Sequence, residues 1–247
     1  MNFIDLHIHL QDYNQQYATD MVKKAQKCGL KKMLCNGTMP QDWPLVADYA
    51  RKYPDLIVPA FGLHPWKVGA ADENFAELLQ AYLQDFPSAP VGEVGIDGLK
   101  PEAELQRKYF VMQLEIAKEK QRPAIIHAVK YGSMLPEYQK ILPPKFMFHS
   151  FNGRYEQMKE ILRYGGYVSL GASIFKNRDA EKIIRDIPLN RILAESDGPY
   201  QPLPKEAIST PLFIPQMIKM WAEIRKTDAD ELAKQIYDNS INFIGIN

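Results

Sequence analysis

The sequence predicts an α/β fold in which eight parallel strands close into a (β/α)8 TIM barrel. A short β-rich segment, a turn and a longer segment of helical periodicity follow one another about eight times along the chain. Strands that alternate with helices form parallel sheets with right-handed crossovers, and 247 residues is an ordinary length for one closed barrel. An open doubly wound sheet is the alternative, but no Gly-rich dinucleotide loop follows the first strand. We therefore expect residues 1–247 to form one barrel domain.

The strands are predicted where short apolar, β-branched runs end at turn residues. In chain order they occupy residues 3–6, 31–35, 56–61, 90–94, 124–127, 146–149, 167–170 and 192–195. Gly62 after the third strand and Pro123 before the fifth are typical of strand ends. The even spacing of these runs is what indicates a repeated strand–helix unit.

The helices are predicted from apolar residues that recur every three to four positions, as at Ala18, Met21 and Ala25 in the first helix. In chain order they occupy residues 17–28, 41–51, 74–85, 101–120, 131–141, 154–164 and 178–187, followed by two more at 211–225 and 228–243. Gly29 after the first helix and Pro188 after the seventh are helix-stop signals.

The composition excludes several classes of protein. Apolar residues make up 46% of the chain, which supports a large core and argues against disorder. The 30 basic and 30 acidic residues cancel, so bulk charge does not attract nucleic acid. Cys28 and Cys35 suggest no disulfide framework, and no secretory signal or apolar run of the ~20 residues that span a bilayer is found. We expect a cytoplasmic protein without membrane association, and no feature indicates an obligate protein partner.

All five histidines fall at or just beyond predicted strand ends. His7 and His9 follow the first strand, and the others follow the third, fifth and sixth strands as His64, His127 and His149. The carboxyl ends of barrel strands form the active site in this fold. Residues two apart in a strand point to one face, so His7 and His9 aim at one place. A single histidine there is ordinarily a hydrogen-bonded strand cap, but the convergence of the whole set favours a metal site.

Two carboxylates join these histidines, Glu93 at the end of the fourth strand and Asp197 after the eighth. Such a set exceeds the three or four ligands of a single zinc site. It suits two divalent ions ~3.5–4 Å apart, and mixed nitrogen and oxygen ligands accept Mg, Mn, Zn or Ni. Glu93 is the candidate to bridge the ions because it lies mid-barrel. Asp197 is expected either to bind one ion or to take a proton from the attacking water.

Six short motifs, in order along the chain, resemble those of the TatD-type metal-dependent deoxyribonucleases, which belong to the amidohydrolase-like barrel group. The motifs are FIDLHIH at 3–9, GLHP at 62–65, GEVGID at 92–97, IH at 126–127, HSFNG at 149–153 and ESDGPY at 195–200. The segment DNSINF at 238–243 is also similar to the closing helix of that family. It is the common order of the motifs, more than any one of them, that carries the resemblance.

The resemblance implies hydrolysis of DNA phosphodiester bonds by a water activated at two divalent ions, often from a 3′ end and on single-stranded or damaged DNA. The implied ligands of one ion are His7, His9 and Asp197, and those of the other are His127 and His149, with Glu93 shared between them. The resemblance further implies that His64 lies near the substrate phosphate and not on a metal.

One departure from the family concerns phosphate binding. The family usually has an arginine two residues after the fifth-strand histidine, but this chain has Val129 there, followed by Lys130. A guanidinium holds a phosphate in two places, whereas a lysine offers a point charge. We assign Lys130 and His64 to substrate binding. A metallohydrolase of a small-molecule ester, amide or phosphoester is the alternative, and a non-catalytic barrel is disfavoured by the complete ligand set.

Four further residues next to the motif histidines and carboxylates carry expectations. Asp5 lies in the first strand and is expected to hydrogen-bond a ligand imidazole, as metal-bound histidines commonly require. Trp66, Phe151 and Tyr200 directly follow motif residues. Each is equally consistent with stacking on nucleobases and with packing of the loops.

Overall fold

The computed structural model describes residues 1–245, and strands and helices alternate along them as predicted. The strands are β1 (Phe3–Ile8), β2 (Leu30–Asn36), β3 (Ile57–Ala60), β4 (Val91–Asp97), β5 (Ala124–Val129), β6 (Phe146–Phe148), β7 (Tyr167–Leu170) and β8 (Ile192–Ala194). The α-helices are α1 (Gln15–Lys27), α2 (Trp43–Lys52), α3 (Phe75–Asp85), α4 (Ala103–Glu119), α5 (Leu135–Tyr138), α6 (Tyr155–Arg163), α7 (Ala180–Asp186), α8 (Ile214–Arg225) and α9 (Ala229–Ile244). The last two residues of the predicted domain, 246–247, lie outside the described residues.

The strands form a parallel barrel with two seams. β1, β2 and β3 pair in order, and so do β4 to β8. At the first seam Phe61 bridges Val91, and the Gly92 amide donates to the Phe61 carbonyl at 2.9 Å. At the second seam Ile8 bridges Gly198 in the segment after β8. These contacts close the eight strands into the predicted barrel.

The interior of the barrel is filled by apolar side chains. Its buried cluster is drawn from strands all round the barrel and includes Ile4, Leu6, Leu34, Val58, Ala60, Ile125, Met147 and Leu193. Phe243 of α9 joins this cluster, and its ring centroid lies 5.6 Å from that of Tyr167, the first residue of β7. The helix α9 therefore covers the amino ends of the strands, and a larger apolar cluster packs between the strands and the surrounding helices.

The largest differences from the predicted boundaries lie in β4 and α5. β4 continues to Asp97 because Gly95 and Asp97 pair with His127 and Val129 of β5. The helix predicted over 131–141 is reduced to α5, since Gly132 has a positive φ of 71° and leaves the helical conformation. Among residues 1–245, no helix combines the length and apolarity needed to span a bilayer.

Candidate metal centre

The five histidines and two carboxylates predicted from the sequence meet at the carboxyl end of the barrel. They come from six different strands or the loops that follow them, namely His7 and His9 with β1, His64 after β3, Glu93 in β4, His127 in β5, His149 after β6 and Asp197 after β8. All are buried except His127, which is partly exposed. His64 and His127, for example, are 63 residues apart in sequence, yet His64 Nε2 lies 3.3 Å from His127 Nδ1.

Glu93 lies at the centre of this group. The prediction that it ends the fourth strand is wrong, because β4 runs on to Asp97 and Glu93 lies inside the strand. Its oxygen Oε2 lies 3.2 Å from His7 Nε2 and 3.4 Å from His9 Nε2. Its oxygen Oε1 faces the other three histidines, at 2.7 Å from His149 Nε2, 2.8 Å from His127 Nδ1 and 3.1 Å from His64 Nε2. The two oxygens of one carboxylate thus divide the histidines into two sets.

Asp197 faces the first of these sets. Its backbone amide donates to the His7 carbonyl at 2.9 Å, which sets the carboxylate beside β1. Oδ1 lies 3.8 Å from His7 Nε2 and 3.7 Å from His9 Nε2. Oδ2 accepts a 2.5 Å hydrogen bond from the Gln201 side chain, which turns Oδ1 toward the histidines. This groups His7, His9 and Asp197 around one point.

Three histidines have an acceptor oxygen against the ring nitrogen that points away from the group. His9 Nδ1 lies 2.9 Å from the Asn36 carbonyl oxygen. The other two face carboxylates at longer distances: His149 Nδ1 lies 3.5 Å from Glu195 Oε1, and His127 Nε2 lies 3.6 Å from Asp97 Oδ2, and neither nitrogen has a hydrogen-bond partner among residues 1–245. A neutral imidazole carries one N–H and one lone pair, and a hydrogen-bonded acceptor oxygen holds the N–H on its own side. The inward Nε2 of His9 is therefore left with a lone pair, as a metal ligand requires, and the carboxylates near His127 and His149 favour the same arrangement there.

His64 has the opposite arrangement. Its Nδ1 accepts the backbone N–H of Trp66 at 3.1 Å, so the proton of the neutral ring is placed on Nε2. Nε2 points into the group, toward Glu93 Oε1. His64, Glu93 and His127 offer ligand atoms within 4.8 Å of one another, but a nitrogen that carries a proton donates hydrogen bonds and does not bind a metal, so in this tautomer His64 differs chemically from the other histidines of the group.

The group has the character of a cation site. His7 Nε2 lies 3.0 Å from His9 Nε2, and His127 Nδ1 lies 3.2 Å from His149 Nε2. Two imidazole nitrogens this close need a proton or a cation between their lone pairs. The buried His7 Nδ1 finds no hydrogen-bond partner within the described part of the chain. The mixed nitrogen and carboxylate donors suit divalent ions, so the residues fit a metal.

The two carboxylates differ in their pKa. Burial would raise the pKa of Glu93, but His149, His64 and His7 around it hold that pKa well below its usual range. Burial raises the pKa of Asp197 to about 6, against the opposing effect of His149 and His9. Glu93 is thus a permanent anion, whereas Asp197 is the more basic carboxylate.

Two predictions about neighbouring residues have different outcomes. Asp5 was expected to hydrogen-bond a ligand imidazole, and this is wrong. Its carboxylate accepts from the Ser196 amide at 2.9 Å, from the Ser196 hydroxyl at 2.5 Å and from the His7 amide at 3.2 Å, so it ties β1 to the segment after β8. Lys130 directly follows β5 and is exposed, with a left-handed φ of 49°. Its role in substrate binding stays a prediction.

Sequence reasoning did not assign a role to three polar residues that hold the group. Asp97 and Glu195 stand inside the recognised motifs, and their carboxylates at strand ends were a usable signal. Gln201 was not marked by any pattern. It also donates to the Ser150 hydroxyl at 2.7 Å, so it links the loops after β6 and β8.

A parallel α/β barrel that gathers histidines and carboxylates at the carboxyl ends of its strands is an architecture typical of metal-dependent hydrolases. A family model described as TatD related DNase matches residues 4–245. The chain belongs to this family and is a metal-dependent hydrolase, as the resemblance of its motifs predicted.

Relatives match over nearly the whole chain. A protein of Edwardsiella piscicida described as 3′-5′ ssDNA/RNA exonuclease TatD is 28% identical over 255 residues, which is 96% of each chain. YjjV of Escherichia coli K12, described as an uncharacterized metal-dependent hydrolase, is 27% identical over 99% of this chain and 98% of its own. The crystal structure of YjjV superposes with a TM-score of 0.91 over 99% of this chain and 98% of YjjV, at 25% identity. A TatD-family hydrolase of Entamoeba histolytica, 19% identical, has the same fold with a TM-score of 0.89 over 98% of both chains.

Proposed function

We propose that this protein hydrolyses phosphodiester bonds of DNA, acting on single strands from the 3′ end, and that residues 1–247 form one catalytic domain. The observation that carries the proposal is the division of the histidines by Glu93, whose Oε2 faces His7 and His9 and whose Oε1 faces His127 and His149. A carboxylate placed in this way is suited to bridge two divalent ions. The exonuclease described in Edwardsiella piscicida supports the choice of substrate.

The donor geometry supports two sets of ligands. The proposed first set is His7, His9 and Asp197, whose ligand atoms lie within 4.8 Å of one another, and the proposed second set is His127 and His149 beside Glu93 Oε1, with Glu93 shared. Ligand atoms also gather as His7 with Glu93 and His149, and as His64 with Glu93 and His127. Mg, Mn and Zn each accept such donors. When bound, the two ions supply an activated water at neutral pH and neutralise charge on the phosphate. This explains how a chain without net charge would accept a polyanion.

Two side chains are proposed to act on protons. Asp197, whose Oδ1 lies beside His7 and His9, is proposed to take a proton from the attacking water. His64 carries its proton on Nε2 and so would donate a hydrogen bond to a phosphate oxygen. Glu93 keeps its charge through the cycle, because its pKa lies well below the working range. Lys130, at the exposed end of β5, is proposed to pair with a neighbouring phosphate.

The proposal is tested with single-stranded oligonucleotides labelled at the 5′ or the 3′ end, incubated with metal-loaded protein in Mg, Mn or Zn. A 3′ exonuclease releases the 3′ label first as a mononucleotide and shortens the 5′-labelled strand one nucleotide at a time. Chelator must stop the reaction. Absence of cleavage with every metal, at both low and high salt, would contradict the proposal.

Hydrolysis of a small-molecule ester, amide or phosphoester is the second candidate. Val129, in place of a phosphate-binding arginine, and the zero net charge favour it. The same metal-loaded protein is assayed against a panel of such esters and amides. Turnover of a panel member with DNA left intact would select this function.

A further inference from the structure

Among the three tryptophans of the chain, Trp66 is set apart by its exposure. Trp43 and Trp221 are fully buried, whereas Trp66 is 54% exposed. A large aromatic side chain loses favourable burial when it faces water, at a cost of roughly 25 cal/mol per Å² of apolar surface. Trp66 directly follows His64 and Pro65 and is not buried in the core. An exposed indole beside a reactive centre suggests a ligand that covers it.

The position of the Trp66 ring places it at the edge of the candidate metal centre. Its centroid lies 5.2 Å from that of His64 and 6.2 Å from that of His127, with both pairs edge-on. The sugar of one nucleotide separates its base from its phosphate by a comparable distance. A phosphate held near His64 and His127 would therefore bring a base of the same strand to Trp66.

The ring is held in place before any ligand binds. Trp66 Nε1 donates to Asp97 Oδ2 at 2.6 Å, and the other oxygen of that carboxylate accepts from the Leu99 amide at 2.8 Å. The Gln106 side chain in turn accepts from the Asp97 amide at 2.8 Å. A ring fixed in this way loses little conformational entropy on binding. Such bracing is not needed for an indole that merely fills a loop.

A cation accompanies the ring. Lys100 Nζ lies over one face of the Trp66 ring, 4.1 Å from its centroid, in a cation–π contact, so a base would stack on the opposite face. A base stacked on an aromatic ring with a basic side chain beside it for the backbone is the combination that single-strand binding sites use.

From these observations we infer that one face of Trp66 is a stacking platform for a nucleobase of the substrate strand, while Lys100 on the other face supplies a positive charge for the adjoining phosphate. The inference rests on the proposed nuclease function and adds a specificity-determining residue to it. A base that lies on Trp66 must leave its own stack and its pairing partner. The platform therefore favours single strands and frayed ends over intact duplex.

The test distinguishes the effect of losing the aromatic ring from the effect of losing its hydrogen bond to Asp97. Trp66→Phe and Trp66→Leu both remove the N–H that reaches Asp97, but only Trp66→Phe keeps an aromatic ring. Each variant is titrated, in chelator so that no cleavage occurs, with fluorescein-labelled oligothymidylate and with an abasic oligomer of the same length and charge. Tyr53→Leu is the matched control, since Lys52 lies over the Tyr53 ring before β3, at the opposite end of the barrel.

The expected result is a difference that depends on the bases. Trp66→Leu should bind oligothymidylate more weakly than wild type by about 5- to 150-fold, the range for stacking of one base, with Trp66→Phe in between. Binding of the abasic oligomer should be equal in all three proteins, and Tyr53→Leu should behave as wild type. Oligothymidylate, but not the abasic oligomer, should quench the fluorescence that Trp66 contributes.

Two outcomes overturn the inference, and they are distinguishable. If wild type cleaves and binds oligothymidylate but Trp66→Leu and Trp66→Phe both bind it as tightly as wild type, the platform is wrong while the nuclease function stands. If wild type binds neither oligomer and cleaves no DNA with metal, the proposed function fails, and the platform fails with it.

Discussion

The two halves of the candidate metal centre differ in how they are held. The inner half, His7, His9 and Asp197, has side chains 0%, 4% and 7% exposed and is fixed by β1 and by the seam that closes the barrel. The outer half, His127 and His149 with His64 beside them, has side chains 13%, 5% and 10% exposed and lies next to the exposed Trp66. The inner half is held across the second seam by the His9 and Asp197 amides, which donate to the Gly198 and His7 carbonyls, whereas in the outer half the His64 amide donates to Thr38 and the His149 amide to Ile126. Under the proposed function both halves hold metal, and substrate approaches over the outer half.

The largest effect is expected from the residue that joins the halves. Glu93→Gln removes the charge seen by both sets of histidines but keeps the shape of the side chain. We expect bound metal to fall in both halves and turnover to drop by more than about 10³-fold. This exceeds the roughly 10- to 100-fold loss typical when a residue that only hydrogen-bonds a metal ligand is changed. Metal analysis and the oligonucleotide assay measure this, with circular dichroism to confirm the fold. Loss of metal from one half alone would show that Glu93 does not bridge.

The next effect separates a ligand from a donor. His9→Ala removes a ring whose inward nitrogen has a lone pair, so the protein should lose metal from the inner half. His64→Ala removes a ring whose inward nitrogen carries a proton, so metal content should stay while turnover falls by about 10²- to 10³-fold, the cost of one donor at a developing charge. Elemental analysis of both variants, purified side by side, decides between the two roles. Equal metal loss in both would mean that His64 is also a ligand.

A smaller effect is expected where a carboxylate orients an imidazole of the second metal set. Glu195→Gln removes the negative charge that lies 3.5 Å from His149 Nδ1. Metal affinity or turnover should fall by about 10- to 100-fold. Calorimetric titration of the metal-free protein with Mn measures the affinity. Asp42→Asn is the control, because that partly buried carboxylate caps the Thr38 turn and has no metal-site histidine as a hydrogen-bond partner among the described residues. A Glu195→Gln protein with unchanged affinity and turnover would remove this role.

The smallest effect concerns the exposed lysine beside the outer half. Lys130→Ala removes one phosphate contact, so the slope of log affinity for single-stranded DNA against log salt should fall by about 0.7, with metal content unchanged. Lys130→Arg should tighten binding, because a guanidinium holds a phosphate at two points. The control is Lys27→Ala, at the last residue of α1, since α1 runs from the loop after β1 back to the start of β2 and so ends toward the amino end of the barrel. Identical salt slopes for wild type and Lys130→Ala would exclude the contact.

Much of the fold and of the site could be predicted from local patterns. Strand and helix periods depend on neighbours in sequence, so the order of elements and the barrel followed from them. The position of a side chain at a strand end then places it at one rim of the barrel, which is why His7, His127 and Asp197 were predicted to meet. Boundaries such as the end of β4 were less accurate, because strand pairing with β5 extends it beyond its apolar run.

The partners of individual polar atoms could not be predicted in the same way. Asp5 was expected to face an imidazole, yet it binds Ser196, which lies 191 residues away. Gln201 supports Asp197 although no motif contains it. Such pairs depend on how two loops approach across the closed barrel, and a shift of one residue in register turns a side chain to the other face.

The sequence by itself determined the barrel and the set of side chains that gather at its mouth, because both follow from periodicity and from the ends of strands. Only the tertiary structure decided which nitrogen of each histidine points inward, that Glu93 divides the two sets, and that Trp66 is braced by Asp97. The physical reason is that hydrogen bonds and metal ligands act over about 3 Å. At that distance, which polar atoms meet depends on how the barrel closes and not on the order of residues along the chain.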